Sequence, residues 1–149
     1  MQAHSAGLHG AMPAKIMIND EAVEMVKNEN GHYRGLHVAL VDPNNGKVEV
    51  TKCFDTHKSS EEFEDFISKP IPVGHIVVAT CRDEVSKNLS DKGRNWFKSL
   101  GSKEISNLQF RTGFSFIGVS GSTIANERIG TEVANESEVQ VSQIFQMKG

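Results

Sequence analysis

The sequence predicts an α+β fold in which two twisted antiparallel β-sheets form a sandwich with one or two flanking α-helices. Three observations predict it. Leu36, Val38 and Leu40 alternate along the chain, Asp42-Pro43-Asn44-Asn45-Gly46 interrupts them, and Val48, Val50 and Phe54 resume. Proline presets φ and Asn and Gly tolerate positive φ, so this stretch reads as a β-hairpin. Val85, Leu89, Trp96, Phe97 and Leu100 share one side of a helical period, with Lys87, Asp91, Lys92, Arg94 and Lys98 on the other. His75–Cys81 is a nearly continuous apolar run, which suits a central buried strand. Strands joined by tight turns, with helices interspersed, argue against a parallel βαβ array.

Taken in order, residues 1–14 are rich in Ala, Gly and His and lack the charged-then-apolar layout of a signal peptide. They are expected to be a flexible N-terminal segment, and residues 15–149 a single domain. Ile16 with Ile18, and Val23 with Val26, suggest two short strands, although Glu21–Asn28 could also form a helical turn. After the hairpin, Ser59 with Glu62 three residues on reads as a capping box. Phe63, Phe66 and Ile67 then line one helical face, and Pro70 and Pro72 end the element. The next helix is expected over Asp83–Leu100, capped by Asp83 and closed by Gly101. Gly93 in its middle costs about 1 kcal/mol relative to Ala, which makes it the place for a break. Leu108–Arg111, Phe114–Val119 and Val139–Met147 read as strands, with turns marked by Gly118, Gly121 and Ser120–Thr123.

A chain of 149 residues is the size of one domain with one proper core. Its net charge of -3 leaves no basic footprint, so nucleic acid is not an expected partner. No apolar stretch is long enough to span a bilayer as a helix, so membrane insertion is not expected either. Cys53 and Cys81 are too few for a disulfide scaffold; a bridge and two buried thiols both fit the sequence. Asn88-Leu89-Ser90 and Asn135-Glu136-Ser137 match the N-glycosylation pattern, which is common by chance.

Catalytic motifs are missing: there is no G-x-S-x-G, P-loop, H-E-x-x-H or C-x-x-C. The six histidines show no ligand spacing beyond His4 and His9, so neither a metal nor a cofactor is expected. Glu61, Glu62, Glu64 and Asp65 read as a solvated helix face. Arg34, Asp83 and Arg111 stand out because each falls at a strand end. Two guanidinium forks, a carboxylate that accepts from hydroxyls, and an apolar ring such as Phe114 would suit a hydroxyl-rich ligand.

Several runs resemble a known family. These are Arg34-Gly35-Leu36-His37-Val38-Ala39-Leu40-Val41, then Cys53-Phe54-Asp55-Thr56-His57, then Ile71-Pro72-Val73-Gly74-His75-Ile76-Val77. Arg82-Asp83-Glu84-Val85-Ser86, Leu100-Gly101-Ser102 and Phe110-Arg111-Thr112-Gly113-Phe114-Ser115-Phe116-Ile117-Gly118 continue the series. From about Lys15 to Gly121 the chain resembles the interleukin-like EMT inducer and pancreatic-derived factor domain, also called the GG domain. In motif it is most similar to the stem domain of protein O-mannose N-acetylglucosaminyltransferase. The resemblance implies two twisted antiparallel sheets with flanking helices, and a site that binds a β-linked N-acetylglucosamine glycan without cleaving it. It also implies sugar contacts at Arg34, Asp83 and Arg111. This chain has Arg111-Thr112-Gly113-Phe114 where the family often has Arg-Asp-Thr-Trp or Arg-Ser-Trp-like runs, and that leaves the sugar's identity open. The cytokine-like members carry more cysteines, so their disulfide pattern does not transfer.

The expected function is that of a secreted, non-catalytic lectin for glycans ending in N-acetylglucosamine or galactose, such as N-acetyllactosamine. A homo-oligomer is expected as well, because one shallow sugar site gains from multivalency. The alternative is a secreted cytokine-like ligand acting through a protein receptor.

Overall fold

A computed structural model describes residues 2–6, 15–18, 21–31, 33–56, 58–82, 89–108, 113–129 and 138–142. The strands are β1 (Gln2–Ala6), β2 (Lys15–Ile18), β3 (Glu21–Ala22), β4 (Gly35–Val41), β5 (Val48–Phe54), β6 (Ile76–Arg82), β7 (Phe114–Val119), β8 (Asn126–Ile129) and β9 (Glu138–Ser142). Two α-helices, α1 (Glu61–Ile67) and α2 (Asp91–Ser99), and a single 3-10 turn at Ile105–Asn107 complete the described structure.

The main sheet is antiparallel throughout, in the order β5-β4-β6-β7-β8. A second antiparallel set, β9-β1-β2-β3, joins it through one parallel bridge between Ala6 and Arg82. Alternation along the strands divides the core in two. Leu36, Val38, Phe54, Val77, Ala79, Phe114 and Phe116 face Phe63 of α1 and Phe97 of α2. Ala39, Val41, Ile76, Val78 and Ile117 face Ile16 and Ile18 of β2. The result is the expected sandwich, with helices outside one sheet.

Local chemistry explains each element. The β4–β5 turn closes as anticipated: Gly46 adopts φ 72°, its N–H donates to the Asp42 carbonyl at 2.9 Å, and the Asp42 N–H donates to that of Lys47 at 2.9 Å. Helix α1 ends before Pro70, but its capping box does not form. Ser60 occupies the N-cap without a side-chain bond to the helix's own N–H groups; its hydroxyl accepts the Ser90 N–H at 2.9 Å instead.

The cap expected at Asp83 is supplied by Ser90, because α2 begins only at Asp91; residues 83–88 lie outside the description. The Ser90 hydroxyl accepts the Gly93 N–H at 3.3 Å and donates to Glu64 of α1 at 3.1 Å. Gly93 therefore falls in the first turn, where no break results, and a Cβ there would press on Leu89 and Phe63. Ser90→Ala should cost about 1 kcal/mol, read as a melting temperature lower by roughly 2–4 °C. An unchanged melting curve would show that the cap contributes nothing.

Three expectations need correction. Gln2–Ala6, expected to be loose, forms a strand between β2 and β9; its pairing is made by backbone groups, which composition does not reveal. Residues 7–14 are outside the description. No strand begins at Leu108, which closes the 3-10 turn, and 109–112 are outside the description. Glu21–Asn28 is neither a helical turn nor a full strand, since β3 stops at Ala22.

Cys53 and Cys81 are not bridged. Cys53 lies opposite His37, and Cys81 opposite Leu36, its neighbour along β4. Successive strand residues point to opposite faces, so β4 separates the two sulfurs and turns them apart.

Candidate functional site

One end of the main sheet gathers the start of β4, the end of β6 and the start of β7. Gly35 pairs with Arg82, and Ser115 pairs with Thr80 two residues earlier. The positions adjoining Arg34 and Asp83 in sequence therefore meet at this end, beside the start of β7. Asp83 and Arg111 themselves lie outside the described residues.

Arg34 sits in a loop tied down at several points. Asn28, buried at 7% exposure, donates its side-chain amide to the Arg34 carbonyl at 2.7 Å and accepts the Asn30 N–H at 2.9 Å. The Arg34 guanidinium forks onto Asp55: Nε lies 3.2 Å from Oδ1 and Nη2 3.0 Å from Oδ2. Asn30 adds a third bond to the same carboxylate at 3.0 Å. Side-chain exposure is 28% for Arg34 and 0% for Asp55. Burial alone would push the Asp55 carboxyl up. Hydrogen bonds from Arg34 and Asn30, the charge of Arg34 and a bond from the Lys58 backbone outweigh it, so the group titrates below its ordinary 3.8.

Beneath the loop, His37 Nε2 lies 2.7 Å from the Tyr33 carbonyl and 3.5 Å from Cys53 Sγ. A carbonyl only accepts, so this nitrogen carries the proton. Gly35 explains the Arg-Gly pair: at φ 124° it passes so close to β5 that a Cβ would run into the Phe54 carbonyl.

Phe114 corrects the sequence reading. Its exposure is 0%, with its ring 5.4 Å from Phe97 and 6.0 Å from Phe116. It belongs to the helix-facing core and offers no surface to a ligand. Asp55, Asn28 and Asn30 were not singled out from the sequence, although Asp55 stands in one of the runs that carry the resemblance.

The opposite end of β6 and β7 presents a different surface. Gly74 N–H donates to the Ser120 carbonyl at 2.9 Å, Ser120 N–H to that of His75 at 2.9 Å, and the Ser120 hydroxyl to that of Ile71 at 3.2 Å. On this braced turn Val73 stands 84% exposed, and Ile124, on the β7–β8 connection, 81%. Val73 lies against Gly121, where an added Cβ would touch it, and the Ile124 backbone lies against Gly101.

The chain is thus a small α+β sandwich with a tied polar loop at one end of the main sheet and bare aliphatic side chains beyond it. Residues 34–122, more than half of the chain, match the family described as interleukin-like EMT inducer, and the chain belongs to that family. It is 32% identical over 129 residues to protein FAM3B of Homo sapiens, covering 85% of this chain and 54% of that protein. Protein FAM3C of Homo sapiens is 34% identical over 119 residues, 78% of this chain and 51% of that protein. The cell migration-inducing and hyaluronan-binding protein of Homo sapiens is 39% identical over 93 residues, 61% of this chain but 7% of that protein. The chain thus spans about half of the first two relatives and a small part of the third.

Proposed function

We propose that this chain is a secreted, cytokine-like signalling ligand that engages a protein receptor and performs no chemistry of its own. The observation that carries this reading is the exposure of Val73, on the turn braced by Ser120, and of Ile124, on the β7–β8 connection. Large aliphatic side chains held almost bare on short connections are the kind of anchor that fills a partner's pocket. Membership of a family described as interleukin-like supports it.

The test is cell-surface binding of labelled protein, measured by flow cytometry. Saturable binding should disappear with Val73→Asp and Ile124→Asp together, persist with Arg34→Ala, and survive enzymatic removal of surface glycans. Stability should change by no more than about 0.5 kcal/mol, because both residues are exposed. Binding that ignores the double substitution sinks the receptor reading.

A second reading is supported by the sheet end at Gly35 and Arg82, and by a relative whose name includes hyaluronan-binding. Here the chain is a lectin for glycans ending in N-acetylglucosamine or galactose, with Arg34, Asp83 and Arg111 as contacts and a homo-oligomer for avidity. Its motif likeness to the transferase stem domain belongs to this reading. It requires binding lost with Arg34→Ala and with deglycosylation, and a defined preference on a glycan array; a flat array removes it.

A further inference from the structure

A slot on the open side of the sandwich is independent of Val73 and Ile124. β5 closes one end of the main sheet and pairs only with β4 among the described strands. Facing it across a cleft, the chain continues past β3 without regular secondary structure. Val23 N–H still donates to the Ile16 carbonyl at 2.8 Å. Beyond it, no backbone hydrogen bond joins Glu24, Met25, Val26 or Lys27 to the backbone of another described residue.

The outer edge of β5 therefore has no strand partner among the described residues, and such an edge is a template for another strand. The space between this edge and the segment past β3 is a cleft of about 700 Å³. Ile18, Val23, Val26 and Val48 give it apolar lining, while Glu21, Glu24 and Lys47 stand on its rim. Glu21 and Glu24 are exposed, and among the described residues neither forms an ion pair with a cation. Two carboxylates against one ammonium favour a cationic visitor.

We propose that this slot takes an extended segment of a partner protein, added as a strand along β5. Its apolar side chains would alternate into the cleft, and a lysine or arginine would sit between Glu21 and Glu24. Main-chain hydrogen bonds would give the affinity, and the apolar lining with its acidic rim the selectivity. The seven residues of β5, at about 3.3 Å each, offer an edge roughly 20 Å long.

The test is to pan a random peptide display library against the intact chain and against the Glu21→Lys/Glu24→Lys variant, then titrate the best binder calorimetrically. Enriched peptides should alternate apolar residues and carry a basic one. Affinity should fall roughly tenfold on the charge reversal, and similarly when alternate peptide amides are N-methylated. Amide shifts on isotope-labelled protein should concentrate in residues 48–54 and 23–27. Enrichment equal on the wild type and the variant, or binding indifferent to N-methylation, would overturn the proposal. So would shifts centred on Val73 and Ile124, which bear on the receptor reading instead. Concentration-dependent self-association abolished by the same charge reversal would place a second copy in the slot and equally overturn it.

Discussion

Phe97→Ala is expected to lower the unfolding free energy by about 3–5 kcal/mol, the largest loss that any single truncation in this core should produce. The side chain has no exposure, and its ring centroid lies 5.0 Å from Trp96, 5.3 Å from Phe116, 5.4 Å from Phe114 and 6.1 Å from Phe63. It is the point where α2, α1 and β7 meet, so neighbours from three elements would have to move together to refill the gap. Urea unfolding should show a much lower midpoint with an unchanged slope. Phe97→Leu, which keeps most of the volume, should cost about 1.5 kcal/mol or less. Equal losses from the two substitutions would show that ring packing is not what matters at this position.

Asp55→Ala should come second, at about 2–3 kcal/mol near neutral pH. Its partner Arg34 reaches solvent, so the loss stays below that of a pair buried at both ends. The pH dependence has a definite sign. Asp55 titrates lower in the folded state than its ordinary 3.8, so the folded protein holds the proton less tightly than the unfolded chain does. The stabilisation is therefore complete above that ordinary value and is lost as the pH falls through the folded one. Asp55→Asn should trail the wild type by its full margin at neutral pH, and the gap should narrow on acidification to about pH 3. A gap that stays constant over that range would mean the charge on Asp55 contributes nothing.

Both sites bear on how far the sequence could be read. The β4–β5 hairpin was legible because its information is local: alternating apolar residues around Asp42-Pro43-Asn44-Asn45-Gly46 encode pairing and turn together. β6 was legible as a continuous apolar run between two covered faces. β8 was not, since Asn126-Glu127-Arg128-Ile129 pairs only with β7 among the described strands, and that pairing is carried by backbone. Asp55 escaped because its burial depends on a partner 21 residues earlier, and no window of adjacent residues contains both. Phe114 was misjudged by position rather than by period. It shares strand parity with Phe116, and together the two rings face the helices. Ser90, the cap of α2, also links that helix to Glu64 of α1, a tertiary bond invisible to capping statistics.

The placement of the two thiols gives the molecule a built-in pair of opening sensors. Cys81, at 0% exposure, is sealed by the helical layer, and Cys53, at 3%, lies beneath the Asn28–Arg34 loop. An alkylating reagent can reach each sulfur only after a different cover lifts. Labelling rates resolved by mass spectrometry would thus clock helix detachment and loop release separately, within one native sample and without any engineered probe.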